Sequence, residues 1–202
     1  MSKKEDNTSN KDLIWGKDAS ILSGGSTKTV KNHIYFYEGV THGSILNLTE
    51  HLRKAEAEMK VVSAHHDIEP PPIHLHISSY GGSVFAGFAG MDTIRSCSVP
   101  VHTIVEGVSA SAATLLSVVG KKRLIRRSAY MLIHELSTGM CGKLTEIKDR
   151  VENSEKLMAT IREVYDKHAR IPEDRLSELL QHDWYFGAED CQKMGLADEV
   201  VD

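Results

Sequence analysis

The chain has 202 residues, of which 41% are hydrophobic and 26% charged, a composition that fits one soluble globular domain with a full core and excludes fibrous or largely disordered classes. With 24 basic against 28 acidic residues the net charge is −4, so the broad basic footprint of a nucleic-acid binder is excluded. No apolar run reaches the length of a bilayer span, and neither nucleic acid nor membrane is expected as a partner.

Residues 1–30 are rich in Ser, Lys, Asn, Asp and Gly and are expected to form a flexible N-terminal arm ahead of a single domain over 31–202. Their polar start has no apolar stretch for a signal peptide. Three cysteines, Cys97, Cys141 and Cys191, stand far apart without CxxC spacing, which argues for a reducing compartment and a cytoplasmic location. Ile34-Tyr35-Phe36-Tyr37 before Glu38-Gly39 is a short strand ending in a turn signal. Ile45, Leu48, Leu52 and Ala55 recur at helical spacing, so a helix is expected from Gly43 to Met59, followed by a Pro-rich loop over residues 63–72.

Ile73-His74-Leu75-His76-Ile77 alternates as a half-buried strand does. A Gly-rich loop, Ser78-Ser79-Tyr80-Gly81-Gly82-Ser83, leads from it into a helix from Val84 to Ser96. A second unit of this kind runs from a strand at Val99–Val105 into a helix after Ser111. Short strands are expected at Leu124-Ile125 and Met131–Ile133, and the basic residues from Lys121 to Arg127 read as a turn with a charged strand face. A long helix spans Leu144–His168, shorter ones Glu173–Leu180 and Ala188–Met194, and a last strand lies near Ala197–Val201. Repeated β-α units predict an α/β layered fold.

Chemistry concentrates in a few places. A strand that delivers a serine at a small-residue turn and then enters a helix is a nucleophile geometry, because the helix start offers N–H groups to a developing oxyanion. Ser109, Ser111 and Ser117 compete for that role, and Ser111 is favoured because it sits where the turn meets the helix. The same run also fits a tight packing turn with no chemistry. A catalytic serine needs a base, and the base needs an orienting group. His134 at the exit of the Met131–Ile133 strand and Asp183 before Trp184-Tyr185-Phe186 are the candidates, although a strand-end imidazole and a helix-terminating carboxylate also fit structural roles. His74 and His76, with His65, His66 and Asp67 nearby, invite a metal reading. They lack an acidic or cysteine ligand set at fixed spacing, so neither metal nor cofactor is expected.

Taken together, Gly81-Gly82, Ser111, His134 and Asp183 resemble the proteolytic subunit of the caseinolytic (Clp) protease family over most of the chain, from Ile34 to Val201. Ser-Tyr-Gly-Gly-Ser-Val-Phe-Ala-Gly is similar to the family's Ser-Pro-Gly-Gly-Ser-Val-x-Ala-Gly. Gly-Val-Ser-Ala-Ser-Ala-Ala-Thr-Leu-Leu is similar to its nucleophile motif, Tyr-Met-Leu-Ile-His to its histidine motif, and Met-Gly-Leu-Ala-Asp-Glu-Val-Val to its closing strand. The resemblance implies a crotonase-like β-α spiral with a protruding handle helix over Leu144–His168. It implies serine endopeptidase activity on unfolded polypeptides through an acyl-enzyme, with Ser111 as nucleophile, His134 as base, Asp183 as orienting acid, and the amides of Gly82 and Ala112 as oxyanion donors. It also implies stacked heptameric rings of identical subunits, and a strand over Ser137–Cys141 against which extended peptide lies.

Some positions depart from the family pattern. No axial-loop motif is recognisable in residues 1–30. His74 and His76 occupy the strand where the family presents aromatics to a docking AAA+ unfoldase, and imidazoles there weaken such a groove. Glu135-Leu136 replaces Gln-Pro. These departures suggest a divergent, phage-encoded relative, with capsid maturation as an alternative task. A crotonase-like acyl-CoA enzyme and an inactive ring subunit are the other readings of the same fold.

Overall fold

A computed structural model describes residues 27–202. Eight strands form one sheet: β1 (Lys28–Val30), β2 (His33–Phe36), β3 (Ile73–Ser79), β4 (Val101–Ala110), β5 (Lys122–Arg126), β6 (Tyr130–Leu132), β7 (Phe186–Gly187) and β8 (Glu199–Val201). Among the described residues six helices accompany them: α1 (His42–His66), α2 (Val84–Ser96), α3 (Ala112–Ser117), α4 (Leu144–His168), α5 (Glu173–Leu180) and α6 (Ala188–Lys193). The sheet runs β1-β2-β3-β4-β5-β8, antiparallel at the β1 edge and parallel from β2 to β8, with β6 and β7 on a side branch from β4.

Burial alternates along β2 and β3. Ile34, Phe36, Ile73, Leu75 and Ile77 are fully buried under the helices, whereas His33, Tyr35 and His74 lie half-exposed on the opposite face. Each such apolar side chain contributes about 1.5–3 kcal/mol by leaving water. Helix α1 buries Ile45, Leu48, Leu52, Ala55 and Met59 along one stripe. Its start is closed reciprocally, with Thr41 Oγ accepting from the Ser44 amide at 3.0 Å and Ser44 Oγ from the Thr41 amide at 2.9 Å.

Two features of the sheet place the site. Strand β4 serves two neighbours. Its first half, His102–Val105, pairs with β5, and after Gly107, at φ 69°, its second half, Val108–Ala110, pairs with β6. The sheet thus splits at Gly107 and carries the end of β4 alongside β6. Helix α4, by contrast, buries only Ile161, Val164 and Tyr165 of its 25 residues, so most of it projects from the body as a handle.

Several boundaries differ from the sequence-based expectation. Helix α1 continues past Met59 to His66, because no proline comes before Pro70 and Lys60–Ala64 are compatible with a helix. It stops at Asp67, at φ 52°, whose N–H closes on the Ser63 carbonyl. His65 and His66 therefore belong to a helix end and not to a loop. Strand β4 is longer than expected and reaches Ala110. Residues 137–141 form no strand: extended backbone needs a neighbour for its N–H and C=O groups, and no strand of the described residues runs beside this one. Of the expected arm, Lys28–Val30 pairs with β2 as an edge strand, and residues 1–26 lie outside the described residues.

Candidate active site

Parallel register at β4/β6 sets Ala110 opposite Leu132, and the Ser111 amide donates to the Leu132 carbonyl at 2.9 Å. Ser111 is therefore the first residue beyond the end of β4, and His134 is the second beyond the adjacent end of β6. Strand β6 pairs in turn with β7, antiparallel, with Tyr130 opposite Gly187 and Met131 opposite Phe186. Carried three residues further, that register sets His134 opposite Asp183. His134 Nδ1 lies 3.5 Å from Asp183 Oδ1, a charge contact longer than a closed hydrogen bond. The rings of His182 and Trp184 stack at 4.3 Å on either side of that aspartate in sequence.

Ser111 itself is bent. Its φ of 54° and ψ of −129° lie outside the regions an L-residue ordinarily occupies, at a cost of about 1–3 kcal/mol that the surrounding structure must sustain. Such a turn thrusts the hydroxyl away from the strand, a backbone shape of the kind a nucleophile elbow between strand and helix requires. The bend is held by three bonds: the one to Leu132, and two into the Ser111 carbonyl, from the Thr114 amide at 3.0 Å and from Thr114 Oγ at 2.5 Å.

Gly81 and Gly82 close the site from the β3 side. At φ 94° and 148° both occupy backbone that disfavours a side chain. A Cβ on Gly81 would stand 2.6 Å from the Ala110 carbonyl oxygen, 2.8 Å from Ser111 Cβ and 2.9 Å from the Ala112 nitrogen. The Gly81 carbonyl accepts from the Val40 amide at 2.8 Å. Because a trans peptide sets N–H and C=O on opposite sides, the Gly82 N–H is aimed away from Val40.

Gly82, Ser111, Ala112 and His134 line one cavity of about 130 Å³, walled by Val84, Leu115, Leu136, Ile161 and Tyr165 among others. Burial pushes the His134 imidazole below its ordinary value of 6.5, and the nearby carboxylates of Asp183 and Glu135 oppose that only in part. It is thus neutral, and able to take a proton, at pH 7. The structure brings together all five residues named from the sequence: four on the cavity wall, and Asp183 behind His134. Ser109 and Ser117 are fully or almost fully buried in the core, with their hydroxyls 3.5 Å apart. Thr114 and Tyr165, whose hydroxyls meet at 2.6 Å beneath the elbow, are not among the site residues expected from the sequence. Tyr165 stood out only as one member of the apolar stripe of α4, and nothing in its spacing distinguishes it.

His74 and His76 lie on the other face of the sheet. Register sets His33, His74 and His102 side by side on β2, β3 and β4, with His33 and His74 stacked at 4.7 Å. His76 meets His33 at 2.9 Å through Nε2 and Glu106 at 2.9 Å through Nδ1. Tyr37 and Arg126 also donate to Glu106. Among the described residues no group of three or more His, Cys, Asp or Glu is arranged to hold a metal ion, and no helix is long and apolar enough to cross a membrane.

A sequence profile of the Clp protease family matches residues 31–202. The ATP-dependent Clp protease proteolytic subunit of Deinococcus radiodurans is 32% identical over 132 residues, 64% of this chain and 65% of that protein. The match therefore spans slightly less than two thirds of the relative's length. In fold, the chain superposes on a ClpP1 mutant from Listeria monocytogenes with a TM-score of 0.74 at 17% identity, covering 85% of this chain and 92% of that one.

Proposed function

The chain belongs to the Clp protease family, and from that premise we propose that it hydrolyses peptide bonds with Ser111 as nucleophile, His134 as general base and Asp183 as its orienting acid. The observation that carries this reading is the convergence of two strand registers: β4/β6 puts Ser111 beside the exit of His134, and β6/β7 puts Asp183 behind it.

The steps follow from the positions. Ser111 Oγ attacks the scissile carbonyl carbon as its proton passes to His134, whose depressed basicity keeps it unprotonated beforehand. The carbonyl oxygen, now carrying the negative charge, is received by the amides of Gly82 and Ala112; since only backbone is used, the identity of residue 112 matters little. Collapse of the tetrahedral adduct breaks the C–N bond. The leaving amine takes the proton from His134, and the acyl group stays on Ser111. Water then repeats the sequence and frees the acid. Asp183 holds the imidazole with Nδ1–H toward itself and steadies the cation formed in each half-reaction.

The assembly belongs to the same proposal. Helix α4 leaves Leu144 and Val151 exposed at 69% and 42%, apolar surface on a projecting element that suits contact with further copies in stacked rings enclosing the sites. Unfolded polypeptide is the substrate that such a chamber would admit. Hydrolysis of a fluorogenic peptide tests the chemistry: Ser111→Ala is expected to reduce turnover to background while leaving the assembled particle unchanged by negative-stain imaging. Turnover at the wild-type rate in that variant would overturn the assignment.

A further inference from the structure

We infer that Thr114 and Tyr165 are positioning residues for the reaction, forming a hydroxyl relay from the handle helix that fixes the peptide plane between Ser111 and Ala112. This rests on the assignment of Ser111 as nucleophile and Ala112 as an oxyanion donor.

The direction of the relay follows from counting protons. A threonine hydroxyl has one hydrogen, and Thr114 Oγ commits it to the Ser111 carbonyl at 2.5 Å, because a carbonyl can only accept. The 2.6 Å contact between Thr114 Oγ and the Tyr165 hydroxyl must then be a bond donated by Tyr165. The order is Tyr165 O–H to Thr114 O–H to Ser111 C=O, a chain in which each bond polarises the next. Tyr165 is 2% exposed, and burial pushes its phenol up to about 12, so it remains a donor throughout the working pH range.

What the relay holds is the site's most strained unit. The Ser111 carbonyl and the Ala112 N–H belong to one trans peptide and point in opposite directions. Anchoring the carbonyl therefore sets the aim of that N–H, at a residue whose φ of 54° gives the backbone reason to relax. Without the relay the carbonyl keeps the bond from the Thr114 amide, at 3.0 Å, as its anchor. A purely packing role for Tyr165 would require the ring but not its hydroxyl. The hydroxyl is the part spent on Thr114.

The test is the rate at which a fluorophosphonate modifies Ser111 in the full-length assembled protein, together with peptide-hydrolysis kinetics. Tyr165→Phe keeps the ring and loses one neutral hydrogen bond, so phosphonylation and kcat should both fall by roughly 3- to 10-fold with KM unchanged. Thr114→Val should fall further, and Thr114→Ser should restore the wild-type rate. Because Tyr165 acts through Thr114, the double variant should be no slower than Thr114→Val alone. Full-rate labelling of Tyr165→Phe, a loss confined to KM, or losses that multiply in the double variant would overturn the relay. Wild-type protein that is folded and assembled yet unlabelled at Ser111 would instead remove the assignment on which the relay stands.

Discussion

At the scale of single residues, the site is a strained serine held in place by glycines on one side and a hydroxyl pair on the other. Gly81 has no room for a methyl group: the nearest atoms are backbone or Cβ of the elbow itself, at 2.6–2.9 Å, and backbone cannot swing aside. Gly81→Ala should lower stability by about 1–3 kcal/mol from the unfavourable φ alone, with the overlap adding to this, and should slow Ser111 labelling. Urea denaturation and the labelling rate check both. His134 gives a pH prediction. Its basicity is lowered by burial and partly restored by Asp183 and Glu135, so the acid limb of kcat/KM should have its midpoint below 6.5. Asp183→Asn removes one restoring charge and should shift that limb to lower pH while reducing kcat by up to ~10⁴-fold. A limb that moves upward in Asp183→Asn would contradict the pairing.

At the scale of elements, the order of the described helices and of every strand but β1 and β7 was legible in the sequence because it rests on local signals: helical spacing in α1 and α4, and alternation and Gly-Gly punctuation around β3. Ser111, His134 and Asp183 were candidates on local grounds, and motif resemblance singled them out together and added the amides of Gly82 and Ala112. Their neighbourhood was not legible, because it depends on which strands pair. No local pattern announces that β4 bends at Gly107 and trades β5 for β6, or that β6 then pairs antiparallel with a two-residue β7. The Tyr165–Thr114 bond spans 51 residues of sequence and leaves no periodic trace. Arg123 is a further non-local device. Its guanidinium bonds Asp198, with Nε at 3.0 Å from Oδ2, the Gly195 carbonyl at 2.7 Å and the His168 carbonyl, tying β5 to the end of α4 and the approach to β8. The fork carries these bonds together, so Arg123→Lys should recover little of the loss seen in Arg123→Met, about 1.5–3 kcal/mol per charge-assisted bond lost. Chemical denaturation of the two variants decides this.

At the scale of the whole molecule, the two faces of the sheet do different work. One packs against helices and carries the strand ends to the cavity. The other gathers His33, His74, His76 and His102 with Tyr35, Tyr37, Glu106, Lys31, Lys122 and Arg126. Burial, then the neighbouring imidazoles of His33, His102 and His76, push His74 down to about 4, and burial also lowers His33 and His102. Glu106 is held ionised against its own burial by Tyr37, His76 and Arg126. In the unfolded chain His33, His74 and His102 titrate near 6.5, so the unfolded state binds more protons at them than the native state does below that value, for His74 down to about 4. Stability should therefore fall as pH drops through that window and flatten with respect to His74 below it. His74→Asn should have a shallower decline, read from melting temperatures across the range, and an equal slope in both proteins would contradict the native-state geometry of the cluster.

In the proposed mechanism a hydroxyl on Ser111, an imidazole on His134 and the amides of Gly82 and Ala112 converge on one reacting carbonyl. A crystal structure of the phosphonylated protein tests it most directly. Phosphorus should be bonded to Ser111 Oγ, with its phosphoryl oxygen about 2.7–3.1 Å from both amides and His134 facing the adduct. An adduct on a different serine, or a phosphoryl oxygen turned to solvent away from Gly82 and Ala112, would contradict it.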